Sequence, residues 1–189
     1  IAHAPNDDDA MNNDLSRERD RRHADVVSSN DRAVPLQARW LGGTGAIPFY
    51  AFALAIWFAP QDFREWARHA LVAYGMLILA FVGALHWGFT MKTPEFDERD
   101  RWTWMGWSVT PALLAWTASL FPFRAAVAIL AATFVVHLAV DHLFASRSGL
   151  PQWYLKMRRA LTAAVVLAMV AAFAAPASPG AGARGVDGS

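Results

Sequence analysis

The run at 71–90, LVAYGMLILAFVGALHWGFT, constrains this chain more than any other stretch. Its 20 residues carry no formal charge. At ~1.5 Å of rise per residue, a helix of that length covers a hydrocarbon core of ~30 Å. The run therefore predicts a membrane-spanning helix, with the triplet His86-Trp87-Gly88 near one end. The rest of the chain reads consistently with it. Apolar residues make up 55% of the 189, against ~45–50% in soluble domains, and the charges fall in short blocks between long apolar runs. Nine tryptophans are many for this length. Trp40, Trp102 and Trp153 stand at the ends of apolar runs, where indoles favour the membrane–water interface.

Composition also excludes several classes of function. There is no cysteine, hence no disulfide framework, thiolate nucleophile or Cys-ligated metal centre. A net charge of +1 and dispersed basic residues argue against a nucleic-acid partner. Residues 1–38 mix DDD and RERDRR with other polar residues and cannot bury enough apolar surface to fold alone. They are expected to be a disordered cytosolic tail, with no apolar stretch of the kind a cleavable signal needs. Met11 is the candidate initiator, since Ile1 is not one.

Five spans are expected within a transmembrane domain at 39–176. The first, 40–59, opens with LGGTG and has Pro48 in its first third; Gly42 and Ala46 form a small-residue face suited to close helix contact. Pro60 ends it, and 61–68 reads as a short amphipathic link. The second span is 69–90. The third, 102–121, contains Pro111, which is expected to kink it, with Ser108 and Thr110 re-satisfying freed carbonyls. The fourth, 123–144, follows a tight turn at Pro122, and the loop at 145–156 contains SGLP. The fifth, 157–175, has Ala164, Ala168 and Ala172 on one face. Residues 177–189 are rich in Gly, Ala and Ser and are expected to be a disordered tail. Thirteen of the seventeen Lys and Arg fall on the side of the N-terminus, counting the loops that share it. The positive-inside rule then predicts the N-terminus in the cytoplasm and the C-terminus outside. The expected fold class is all-α, an integral membrane bundle of five helices.

This orientation gathers the sparse polar residues in the cytoplasmic leaflet. His86 lies about 10 Å to that side of mid-membrane by helical rise. Asp141 lies at similar depth, and His137, four residues earlier, shares its helix face. Arg158 follows Trp153 and Tyr154 at the start of the fifth span. A carboxylate inside a span costs ~2.5–3.5 kcal/mol on insertion scales, so Asp141 needs a partner, and Arg158 or Arg159 is the candidate. His86 and His137 are candidate axial ligands of a haem b. His86, Trp87 and Tyr154 are candidate walls of a quinone or pigment pocket. No nucleotide loop, His-Glu-x-x-His helix or Gly-x-Ser-x-Gly elbow is present, so no catalytic or metal site is expected.

The motifs LGGTGAIPF at 41–49, AYGMLILAFVGALHWG at 73–88, SVTPALLAW at 108–116, the Asp141 helix end and PQWYLKMRRALT at 151–162 resemble a bacterial family of small multi-pass proteins. It is the domain-of-unknown-function family thirty-four twenty-nine, to which mitochondrial transmembrane protein sixty-nine is related. The resemblance covers about 40–175. It implies an inner-membrane location and about five spans, and it brings no established activity. Its His-Trp-Gly and Trp-Tyr-Leu-x-x-Arg motifs fall on His86, Trp87 and Gly88, and on Trp153, Tyr154, Leu155 and Arg158.

Three readings of function compete. The leading one is a non-enzymatic inner-membrane protein, an accessory or assembly factor of a larger membrane complex, with the lipid bilayer and other membrane subunits as partners. The second is a haem, quinone or lipid binder. The third is a small proton-coupled transporter with Asp141 as carrier.

Overall fold

The computed structural model describes residues 16–19, 34–148 and 150–176. The remainder of the two expected tails, 1–38 and 177–189, lies outside the described residues. Residues 16–19 form a single helical turn. Five long helices follow: α1 (Leu36–Phe58), α2 (Gln61–Lys92), α3 (Glu98–Ala118), α4 (Phe123–Ser148) and α5 (Gln152–Ala174). Among the described residues there is no strand.

Local chemistry sets where the helices begin. Proline stands at the N-cap of α1, α2 and α5, as Pro35, Pro60 and Pro151. Its ring fixes φ and disfavours helical geometry in the preceding residue, so α1 stops at Phe58, two residues before Pro60. The N-cap of α3 is Asp97, whose side chain accepts a hydrogen bond from the Asp100 backbone N–H at 2.7 Å. Glu98 and Asp100 add negative charge at the positive end of that helix's dipole.

Helices α1, α2, α4 and α5 form a closed ring of neighbours, and α3 packs against α2 and α4. The core of the ring holds Phe49, Ile56, Leu71, Leu79, Leu130, Phe134 and Met169, all fully buried. The outer surface is apolar as well, with Leu41, Leu54, Leu77, Phe81, Leu113, Leu143 and Leu167 exposed. That is the inverse of a soluble protein and suits a surface facing lipid. Four helices are long and apolar enough to cross a membrane: α1, α2, α4 and α5. At 32 residues α2 is about 48 Å long, more than a hydrocarbon core requires.

Several boundaries differ from the sequence expectation. Residues 61–68 are the first two turns of α2 rather than a separate link. Helix α1 starts at Leu36, so the tail boundary expected at 38 falls inside it. The loop expected at 145–156 contracts to 149–151, because α4 runs on to Ser148 and α5 begins at Gln152. Helix α3 does not meet the length-and-apolarity measure that its four neighbours meet. Its first turn holds Glu98, Arg99, Asp100 and Arg101, and it ends at Ala118, short of 121. Ser108 and Thr110 donate to the carbonyls of Met105 and Gly106, not to the Trp107 carbonyl that Pro111 leaves without its helical donor.

The two ends of the ring are tied differently. At the α5 C-terminus, Arg68 donates to the Pro176 carbonyl and Arg124 to the Ala175 carbonyl, each at 3.0 Å. Trp57 donates to the Ala171 carbonyl one turn earlier at 2.8 Å. These donors from α1, α2 and α4 satisfy carbonyls that a helix end leaves unpaired. Tyr74 donates to the Gly45 carbonyl at 2.9 Å, joining α2 to α1.

The closest backbone approach is between α2 and α3. A Cβ built on Gly83 would lie 2.6 Å from the Ser108 carbonyl oxygen and 3.4 Å from Pro111 Cγ. Only a residue without a side chain lets these helices meet here. Gly83→Ala is therefore expected to destabilise the bundle by about 1–3 kcal/mol, the usual range for overpacking. Gly43 has nothing within 4 Å of an added Cβ, so Gly43→Ala is expected to leave stability unchanged or slightly raised. Thermal unfolding of both variants in detergent checks this; equal effects at the two positions would refute the close contact.

Candidate functional site

Four buried side chains meet between α2, α4 and α5: His86, His137, Asp141 and Arg158. All are at most 4% exposed. Their meeting follows from helical spacing. On α4, Thr133, His137, Asp141 and Phe144 lie on one buried stripe, and on α5 Tyr154, Arg158, Thr162 and Val165 do the same. The α4 stripe faces α2 at His86 and α5 at Arg158.

Asp141 is the hub. Its Oδ2 accepts from Arg158 Nε at 2.7 Å, a charge-assisted hydrogen bond. Its Oδ1 lies 3.4 Å from His86 Nε2 and 3.9 Å from His137 Nε2. Neither distance, with the geometry present, makes a hydrogen bond; His86 Nε2, His137 Nε2 and Asp141 Oδ1 are all without a hydrogen-bond partner. So are Arg158 Nη2, Tyr154 OH, Thr162 Oγ1 and Trp104 Nε1 nearby. The expected Asp141–Arg158 partnership is thus what the structure contains, and Arg159 is exposed instead.

Aromatic rings wall the cluster. The His86 ring meets the Phe144 ring edge to face at 4.8 Å and lies parallel to the Trp104 ring at 6.3 Å. The Trp104 and Phe144 rings meet at 4.8 Å, and Phe96 and Phe89 add further contacts with Phe144. Tyr154 packs on Phe89 at 5.6 Å. On the other side, Trp107 lies nearly parallel to the His137 ring and donates its Nε1–H to His137 Nδ1 at 3.1 Å. An accepting Nδ1 places the ring's proton on Nε2, so this hydrogen bond assigns the tautomer of His137. The His86 and His137 rings themselves meet edge to face at 5.0 Å.

The remaining candidate residues sit elsewhere. Trp87 is 47% exposed and borders an outer groove with Trp102, Met105 and Val109. Gly88 is exposed, with nothing within 4 Å of an added Cβ. Trp153 is half-buried beside Tyr154, with ring centroids 6.2 Å apart. Trp104, Trp107, Phe144 and Thr162 belong to the cluster although sequence reasoning did not single them out. One signal was available for the first: Trp104, Ser108, Pro111, Ala115 and Ala118 recur at helical spacing and form the buried face of α3. Trp107, three residues after Trp104 and four before Pro111, stands at the edge of the same face and is partly buried.

Removing one partner of the Asp141–Arg158 pair leaves a buried charge without its counter-ion, at about 3–5 kcal/mol. Asp141→Ala and Arg158→Ala are each expected to lose stability on that scale, and the double variant to recover part of the loss. The measurement is thermal or denaturant unfolding of all four proteins in detergent. Strictly additive losses would show that the two side chains do not act as a pair.

Comparison with known proteins adds the following. The sequence model of the family described as Protein of unknown function (DUF3429) matches residues 34–174. Transmembrane protein 69 of Xenopus tropicalis is 30% identical over 159 residues, covering 82% of this chain and 62% of that relative. The chain thus spans less than two thirds of the relative's length. No solved structure matches.

Proposed function

The chain belongs to the family of proteins of unknown function DUF3429, and we propose that it works there as a non-catalytic, multi-pass protein of the bacterial inner membrane, an accessory or assembly factor for a larger membrane complex. The observation that carries this reading is the setting of Asp141. Its carboxylate is held to Arg158 at 2.7 Å, and Phe144 and Trp104 lie against the His86 ring beside it. A carboxylate paired in this way ties α4 to α5. The helices around it present apolar surface for lipid or for the helices of other subunits.

On this reading α3 is the fifth span. It packs along part of α2, with Trp104 beside His86 towards one end and Ala115 and Ala118 in the main core towards the other. Five crossings with the basic residues inside give an N-terminus in the cytoplasm and a C-terminus outside. Reporter fusions after Asn30 and after Ser178 are expected to report opposite compartments. The same compartment from both would remove one crossing, and α3 would be the first candidate. Affinity purification in mild detergent followed by mass spectrometry tests the accessory role. Other membrane subunits are expected in stoichiometric amounts, and recovery of this chain alone would sink the reading.

A second reading, an amphiphile-binding protein, is supported by an apolar crevice of about 110 Å³ bordered by α1, α2, α4 and α5. Gly42, Gly45, Phe49 and Phe134 line it, and Arg158 and Thr162 stand at its polar end. A lipid or quinone tail suits these walls better than a porphyrin suits the histidines. The His86 and His137 rings meet at 5.0 Å with Asp141 beside both, which leaves no planar slot between them. Solvent extraction of the purified protein and mass spectrometry of the extract separate this reading from the first. The proton-carrier reading rests on Asp141 alone. Asp141→Asn with an intact fold and lost cellular function would favour it.

A further inference from the structure

We propose that His86, His137 and Asp141 form a binding site for a divalent transition metal ion of the zinc class. The proposal goes beyond the accessory reading and does not depend on it. One donor atom from each residue lies within 4.8 Å of the others. Asp141 Oδ1 is 3.4 Å from His86 Nε2 and 3.9 Å from His137 Nε2. A tetrahedral ion with bonds of about 2.0–2.2 Å holds its donors about 3.3–3.5 Å apart. The 3.4 Å spacing matches what the ion needs, the 3.9 Å one is somewhat long, and the side chains must draw in to close the third, which is at most 4.8 Å.

The second observation is that these same three atoms have no hydrogen-bond partner. Each belongs to a side chain at most 1% exposed. Orphaned polar atoms at that depth are costly, and three that face one point call for a shared guest. Residue chemistry says which guest. Two imidazole nitrogens and one carboxylate oxygen suit zinc, iron, copper or nickel, whereas calcium and magnesium take all-oxygen sites. Asp141 and Arg158 are neutral as a pair, so the ion is held by coordination rather than by net negative charge, which points the same way. Arg158 also serves the site by holding Oδ2. That leaves Oδ1 turned to the histidines, as an outer hydrogen bond orients a ligating carboxylate. Trp104 and Phe144 wall the His86 side of the cluster.

One contact works against the ion. Trp107 donates to His137 Nδ1 and so keeps a proton on Nε2, the nitrogen a metal requires. Metal entry must move that proton and give up the Trp107 hydrogen bond. Trp107 is thus a competitor of the metal, and its removal is a test that leaves all three ligands in place.

The test uses the full chain without a polyhistidine tag, purified in detergent and stripped with a chelator. Zinc is titrated by calorimetry, and cobalt by visible absorption, which reports tetrahedral nitrogen and oxygen ligation. The expected result is one ion per chain, a rise in unfolding temperature with zinc, and visible cobalt bands. His86→Gln and His137→Gln are each expected to weaken binding at least tenfold, and Trp107→Phe to tighten it severalfold. If a histidine variant fails to fold, Trp107→Phe still decides, since its affinity must rise. Binding that survives both histidine substitutions belongs to surface groups and overturns the proposal. So does the absence of stoichiometric zinc, the outcome expected if a water bridges the three atoms instead.

Discussion

A carboxylate buried among hydrocarbon side chains sets the terms for this bundle. Asp141 is 1% exposed, so its charge requires a cation within hydrogen-bond reach, and Arg158 supplies one at 2.7 Å. That single requirement places α5 against α4. With only 149–151 between the helices, it also sets how far along α4 the next helix must sit. The register then carries Tyr154 and Thr162, one turn to either side of Arg158, onto the same buried stripe. The unsatisfied polar atoms around Asp141 are consequences of the same placement.

The bundle divides into two kinds of interior. Towards the α5 C-terminus the core is aliphatic and aromatic, with Leu71, Ile56, Ala118 and Ala172 packed together. Towards the α5 N-terminus, Phe96, Trp104 and Phe144 form a separate aromatic cluster around the polar residues. Rings suit this task because they bury large area while lending edges to imidazole and faces to one another. The Gly83 contact joins the two regions, since it lets α3 lie close enough for Trp104 to reach His86.

Much of this was legible beforehand. The uncharged run at 71–90 marked α2, Pro60 marked the end of α1, and the helical depth count put His86, His137 and Asp141 near one another. The pairing of Asp141 with Arg158 followed from the cost of an unpaired charge. Helix ends were less legible. Residues 61–68 and 152–156 are polar enough to read as loop, yet they are helical, because a helix continues through charged turns once its apolar part is anchored. Trp87 shows the other limit. It neighbours His86 in sequence, but successive residues on a helix point about 100° apart, and it faces outward. Trp107 shares the spacing of the buried face of α3, but its bond to His137 depends on where α4 places that ring. The family resemblance located the motifs and carried no chemistry for them.

The donors at the α5 C-terminus bear on how the protein is made. Trp57, Arg68 and Arg124 come from α1, α2 and α4, and all three satisfy carbonyls at 171–176. Those helices leave the ribosome first. When α5 emerges after them, the groups that terminate it have already been made. Until it docks, its final carbonyls must be met by water or lipid headgroups; afterwards Trp57, Arg68 and Arg124 meet them, while Arg68 keeps its ion pair with Glu65 at 2.9 Å. Helix α5 therefore docks onto groups supplied by helices made before it, and the chain order gives the assembly of these five helices a direction.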